Sequence, residues 1–144
     1  MATRRGCAAL VARVLAAVVV VVLAEANPAT ARADESVMHQ VRYTVTADQP
    51  LQVDIYYRDV DPLSWAEYSH NPYQFSPKDE ASLAPGTPWV RDVALVDPER
   101  WATVAISRVS IRSEGTVRCE LTVDGVVVDT ADGPDGALCS LRQW

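Results

Sequence analysis

Two cysteines, Cys119 and Cys139, are the residues whose type and spacing point most clearly to chemistry; the third cysteine, Cys7, precedes an apolar N-terminal region. A redox or nucleophilic cysteine would need a CxxC pair or a nearby histidine, and this pair has neither. The even pair therefore predicts a structural disulfide. It would close a loop of roughly 20 residues and stabilise the fold by about 3 kcal/mol.

Groups suited to catalysis or metal binding are scarce. The two histidines, His39 and His70, leave little material for a Ser-His-Asp or Cys-His arrangement. The acidic segments 59–61 and 132–136 lack the spacing of an EF-hand calcium loop, and turns rich in Asp, Pro and Gly are common in all-β proteins. We therefore expect a protein that is not an enzyme, with no metal site and no cofactor.

A segment rich in proline and aromatic residues, 61–88, is the candidate binding region. Its five prolines are incompatible with a regular central strand, and its aromatic content argues against disorder. Two interpretations are open: the segment covers one edge of the domain, or it presents an aromatic surface to a protein partner or an apolar small molecule. The candidate surface consists of Trp65, Tyr68, Tyr73, Phe75 and Trp89.

Strands are the elements that position the cysteines and the candidate surface. Apolar and polar residues alternate with a period of two along most of the chain after residue 40, which is the pattern of half-buried strands. The Asp124-Gly125 dipeptide predicts a type I′ hairpin turn, which places Cys119 on the apolar face of its strand. The pattern indicates about seven short strands and no convincing amphipathic helix. The expected fold is all-β, a small immunoglobulin-like β-sandwich with one disulfide. The predicted strands are 41–46, 51–58, 89–96, 101–111, 117–123, 126–129 and 137–141.

Residues 1–33 have the features of a secretory signal peptide. Two arginines precede an apolar run, 14–24, whose 11 residues are fewer than the approximately 20 that span a membrane. Ala-Arg-Ala at 31–33 predicts cleavage before Asp34. The alternative is an uncleaved signal anchor. The domain 34–144 is thus expected outside the cytoplasm: in the periplasm or cell envelope, secreted, or anchored to the cytoplasmic membrane.

The charge of the exported part limits its partners. Residues 34–144 contain 9 Lys and Arg against 18 Asp and Glu. Since nucleic-acid binding needs a basic surface, nucleic acid is not an expected partner. The sequence gives no indication of an oligomeric state.

The C-terminal hairpin carries a family resemblance. The run CELTVDGVVVD at 119–129, followed by Ala-Leu-Cys at 137–139, closely resembles the end of the extracytoplasmic domain of the mycobacterial small membrane proteins, the MmpS family. Upstream, VRYTV at 41–45 and VDIYYRD at 53–59 resemble the first two strands of that family, and Pro-Trp at 88–89 resembles its Leu-Pro-Trp.

This resemblance extends over about residues 41–141. It implies a β-sandwich at the outer face of the cytoplasmic membrane that is accessory to an MmpL-type transporter of the RND class, which exports lipids or siderophores. The expected function is therefore an exported MmpS-like binding module that is accessory to such a transporter. Two features depart from the family: MmpS proteins usually keep an N-terminal membrane helix, and segment 61–88 is longer than their equivalent connection. The alternatives are a soluble carrier of an apolar ligand and a structural or surface envelope protein without a dedicated ligand.

Overall fold

The computed structural model describes residues 36–110, 112 and 114–142. The predicted signal peptide, residues 1–33, lies outside this range, so its cleavage stays a prediction. Across the described ranges, no helix is long and apolar enough to cross a membrane.

Eight strands and three short helical segments make up the described domain. The first sheet has the strand order β4-β1-β6-β7 and the second the order β3-β2-β5-β8, with every neighbouring pair antiparallel. The elements in chain order are β1 His39–Ala47, β2 Leu51–Tyr57, α1 Trp65–His70, a 3-10 helix Pro72–Phe75, β3 Lys78–Leu83, β4 Trp89–Leu95, α2 Pro98–Trp101, β5 Thr103–Arg108, β6 Val117–Val123, β7 Val126–Gly133 and β8 Gly136–Ser140.

The alternation of the sequence explains why the two sheets face each other. In β1 and β2 every second residue is buried, so each strand turns one apolar row inward and one polar row to solvent. The inward rows of both sheets form a single core. Its fully buried members include Val41, Tyr43, Val45, Val53, Ile55, Val104, Leu121 and both cysteines.

The predicted all-β sandwich and its disulfide are confirmed. Cys119 in β6 of the first sheet is bonded to Cys139 in β8 of the second, so the bridge crosses the core. At the β6–β7 turn, Asp124 and Gly125 have φ angles of 49° and 81°. These left-handed angles at both central positions are those that a type I′ hairpin requires.

Several details of the predicted strands are wrong. β5 ends at Arg108 and not at residue 111, and β7 continues to Gly133 and does not end at residue 129. Segment 61–88 contributes an eighth strand, β3. The sequence pattern did not show this strand, because an edge strand pairs on one side only and can therefore be as polar as Lys78–Leu83. The predicted strand 101–111 also begins too early. Asp97 caps α2 by accepting a hydrogen bond from the backbone N–H of Arg100 at 3.1 Å, and Pro98 fits the first helical turn, so Trp101 is helical.

Candidate functional site

An open groove of about 510 Å³ lies on the outer face of the second sheet. Its floor is a row of three outward-facing residues that the strand register aligns: Tyr56 pairs with Ala105, and Ala105 pairs with Leu138. Polar residues usually occupy the outward row of a half-buried strand, so this apolar row is a departure from the pattern. The remaining lining residues are Tyr57, Arg58, Tyr68, Pro72, Tyr73, Ser76 and Thr103.

The wall of the groove comes from α1 and the 3-10 helix, which are folded back against the second sheet. Ser64 caps α1 by accepting a hydrogen bond from the backbone N–H of Glu67 at 3.1 Å. The Glu67 carboxylate in turn accepts from the backbone N–H of Leu63 at 2.8 Å. This reciprocal arrangement resembles a capping box and lets six residues form a helix without a buried residue of their own.

An aromatic cluster fixes α1 to the sandwich. The ring of Trp65 lies 5.2 Å from that of Tyr68 and 5.1 Å from that of Trp101, and the Tyr68 and Trp101 rings are 5.7 Å apart. Such tilted and edge-on contacts stabilise beyond the burial of area alone. Because Trp101 belongs to the core, the wall of the groove is held by the same packing as the sandwich.

Arg58 joins this wall to the floor. Its side chain is 1% exposed, and its Nη1 donates to the backbone carbonyl of Phe75 at 2.5 Å and to Ser76 Oγ at 3.0 Å. The guanidinium carbon lies 4.4 Å from the centre of the Tyr68 ring, a cation–π distance. Arg58 therefore holds the end of the 3-10 helix and places a cation at the groove.

The backbone of Arg58 is fixed from inside the core. The Tyr43 hydroxyl donates to the carbonyl of Arg58 at 2.9 Å, and the Arg58 N–H donates to the carbonyl of Thr103 at 3.1 Å. Burial raises the pKa of Tyr43 well above its usual range, so this hydroxyl stays protonated and remains a donor at every physiological pH. The cation at the groove is thus positioned by contacts on both sides of the sheet.

The structure distributes the candidate surface residues over three environments. Tyr68 and Tyr73 line the groove, and Tyr73 is 81% exposed. Phe75 is buried, and Trp65 is partly buried in the aromatic cluster. Trp89 lies elsewhere, where its ring is 5.4 Å from that of Tyr57.

The surroundings of Trp89 close one edge of the sandwich. Its Nε1 donates to the Asp79 carboxylate at 3.1 Å, and Arg91 pairs with the same carboxylate. Asp79 lies in β3 and Trp89 in β4, so these contacts join the edge strands of the two sheets. Trp89 is therefore part of an edge closure and does not line the groove.

Eight lining residues of the groove were not among the candidates from the sequence. They are Tyr56, Tyr57, Arg58, Pro72, Ser76, Thr103, Ala105 and Leu138. Three of them could have been predicted from the strand alternation, because Tyr56, Ala105 and Leu138 are apolar residues at outward positions of their strands. Over the ranges that the structure describes, no three His, Cys, Asp or Glu side chains are grouped so that they could hold a metal ion.

Comparisons with known proteins agree with the fold. The family model of the Rv2576c beta-sandwich domain matches residues 43–139. The chain is similar to the uncharacterized protein Rv2576c of Mycobacterium tuberculosis (strain H37Rv) and to the uncharacterized protein Mb2606c of Mycobacterium bovis. Each is 39% identical over 117 residues, which cover 81% of this chain and 75% of the relative. The likeness to the MmpS proteins rests on the sequence motifs alone.

Proposed function

The chain belongs to the Rv2576c beta-sandwich domain family, and we propose that it is an exported, non-enzymatic binding module that holds an apolar ligand in the groove outside its second sheet. The observation that supports this proposal is the groove itself. A volume of about 510 Å³ lies within the range of roughly 300–1,000 Å³ that is typical of small-molecule sites.

The lining of the groove suits an apolar molecule. Aromatic and aliphatic side chains make up most of it, and few polar groups are present to fix a polar ligand. Leu138 at its floor is 49% exposed, and Tyr73 at its wall is almost fully exposed. A ligand that covers both would remove this apolar surface from water, which stabilises the complex by about 25 cal/mol per Å² before the costs of association.

Filling the groove tests this proposal. Ala105 is half-buried at the centre of the floor, so Ala105→Arg places a long charged side chain where the ligand would lie. We expect the variant to bind the uncharged fluorescent probe N-phenyl-1-naphthylamine at least about tenfold more weakly than the unmodified chain. The measurement is the increase in probe fluorescence on titration with protein.

Thr44→Arg is the matched control. Thr44 occupies an outward position in β1, a central strand of the first sheet. Its replacement therefore also introduces an arginine at an outward strand position, but on the face of the sandwich opposite the groove. Probe binding should be unchanged in this variant. Equal probe binding by Ala105→Arg and the unmodified chain, or no probe binding by either, would show that the groove is not a ligand site.

A second candidate function is that of an MmpS-like accessory to an MmpL-type transporter in cell-envelope lipid or siderophore export. It is supported by the motifs at 119–129 and 41–45, and by the exposed ring of Tyr73. The two functions are compatible, because an accessory could receive the exported molecule in the groove. In this proposal the domain works outside the cytoplasm. It is either free or anchored to the membrane by residues 1–33, if these are not cleaved.

Tyr73→Ala tests the accessory function. Tyr73 is the appropriate position because its side chain is exposed, whereas truncating Trp65 would remove ring contacts to Tyr68 and Trp101 and weaken the fold. We expect Tyr73→Ala to reduce the recovery of an MmpL-type transporter in a pull-down from the native host. Undiminished recovery would exclude this interface. A chain that binds neither probe nor transporter would instead be a structural envelope protein.

A further inference from the structure

Arg58 is a buried cation that has no carboxylate partner in the described part of the chain. It is the one charged side chain that is fully buried among these residues, and no described Asp or Glu forms an ion pair with it. Buried charges in proteins are normally paired, because removing an ion from water costs several kcal/mol. The two neutral oxygens and the rings of Tyr68 and Trp101 that Arg58 contacts compensate only part of this cost.

The guanidinium also has an unused edge. Both of its hydrogen bonds come from Nη1, and Nε, although buried, has no hydrogen-bond partner among the described residues. The edge formed by Nε and Nη2 is one of the two edges through which a guanidinium binds a planar carboxylate with two parallel hydrogen bonds. Arg58 lines the groove, but its Nε is buried behind the lining, so a carboxylate in the groove would have to displace covering groups to reach this edge.

We propose that the ligand of the groove is a single-chain amphiphile whose carboxylate pairs with Arg58 while its apolar chain lies along Tyr56, Ala105 and Leu138. This inference rests on the proposed function, since it specifies the ligand class of the same groove. It assigns Arg58 as a specificity-determining residue for a fatty-acid-like molecule.

The charge of the domain favours a carboxylate over a phosphate. Residues 34–144 carry an excess of nine acidic side chains, which repels anions in proportion to their charge. A carboxylate brings one negative charge and a phosphate monoester between one and two at neutral pH. A single local cation can offset the first more completely than the second.

Arg58 also has a structural role, because it ties the carbonyl of Phe75 and the hydroxyl of Ser76 to the second sheet. If that were its whole role, the groove would bind a neutral amphiphile as tightly as an acid of the same length. The first experiment therefore compares decanoate with decanol on the unmodified chain, each as a competitor of N-phenyl-1-naphthylamine at pH 7 and below its micelle concentration.

Decanoate should bind about tenfold or more tightly than decanol, which is the difference that one hydrogen-bonded charge pair provides. In Arg58→Gln this preference should disappear, because the variant offers no cation to the acid. Arg42→Gln is the matched control. Arg42 is exposed on the first sheet and paired with Asp92, so its loss should leave the preference intact.

A direct readout uses the unmodified chain and needs no variant. In a ¹H–¹⁵N spectrum, decanoate should shift the Nε–H signal of Arg58 downfield, and decanol should not. Equal affinity for the two probes, or an Nε–H signal that decanoate leaves unchanged, would overturn the carboxylate inference while the groove stays a binding site. Failure of both probes to displace N-phenyl-1-naphthylamine would instead count against the proposed function itself.

Discussion

Breaking the Cys119–Cys139 bridge should lower the stability of the domain by an amount that follows from its place in the fold. The two residues are 20 positions apart, and each is fully buried in a different sheet. On the chain-entropy model, a loop of this length restricts the unfolded chain enough to stabilise the folded state by about 3 kcal/mol. For a domain of about 100 residues, that corresponds to a melting temperature lower by about 12 °C or more on reduction.

Guanidinium and thermal unfolding, followed by far-UV circular dichroism, measure this difference. A Cys7→Ser background leaves only the two core cysteines, so oxidised and reduced samples differ by the cross-link alone. The double variant Cys119→Ala/Cys139→Ala is the control for the reductant. Its stability should not respond to reductant, and it should be no more stable than the reduced chain, because truncating two buried side chains leaves a small cavity.

The loop-closure reasoning is refuted if the oxidised and reduced chains differ by less than about 1 kcal/mol. A reductant effect of equal size in the double variant would refute it as well, since the reductant would then act on something other than the bridge. A loss well above 3 kcal/mol would show that the bridge also holds the two sheets at their native separation.

Two further predictions concern hydrogen bonds. Tyr43→Phe removes the donor to the buried carbonyl of Arg58 and should cost about 1–3 kcal/mol in urea unfolding, whereas Tyr73→Phe at an exposed ring should cost almost nothing; equal losses would contradict the role of the buried hydroxyl. The side chain of His39, and then the backbone N–H of Gln40, lower the pKa of Asp124, so its contribution to stability is complete above about pH 4 and is lost as the pH falls through the lower folded pKa. Asp124→Asn keeps the turn, and its deficit in unfolding free energy should therefore shrink between pH 5 and pH 2; a deficit that stays constant over that range would contradict the linkage.

The sandwich could be predicted from the sequence because its signals are local. The alternation in β1 and β2 and the Asp124-Gly125 turn are each visible within a few residues, and the disulfide follows from the number of cysteines after the N-terminal segment. The missed elements also had local signals, although weaker ones. Ser64 stands three residues before Glu67, the spacing of a capping box, but a helix of six residues is too short to show periodicity.

The groove could not be predicted in the same way, because three separate strands build its floor. Tyr56, Ala105 and Leu138 are far apart along the chain, and only the register of β2, β5 and β8 brings them into one row. The role of Arg58 could not be predicted from the sequence for a related reason. An arginine that directly follows a strand in its outward register is normally a solvated residue, and Arg58 is buried here because segment 61–88 folds back over it.

The position of the groove outside the sandwich has a consequence for how quickly a ligand could be exchanged. A carrier that stores its cargo between two sheets must separate them to load and unload, and so each transfer disturbs the core. Here the cross-linked core lies on the opposite side of the second sheet from the groove. In the proposed function, loading and release through this open groove would therefore leave the two sheets packed.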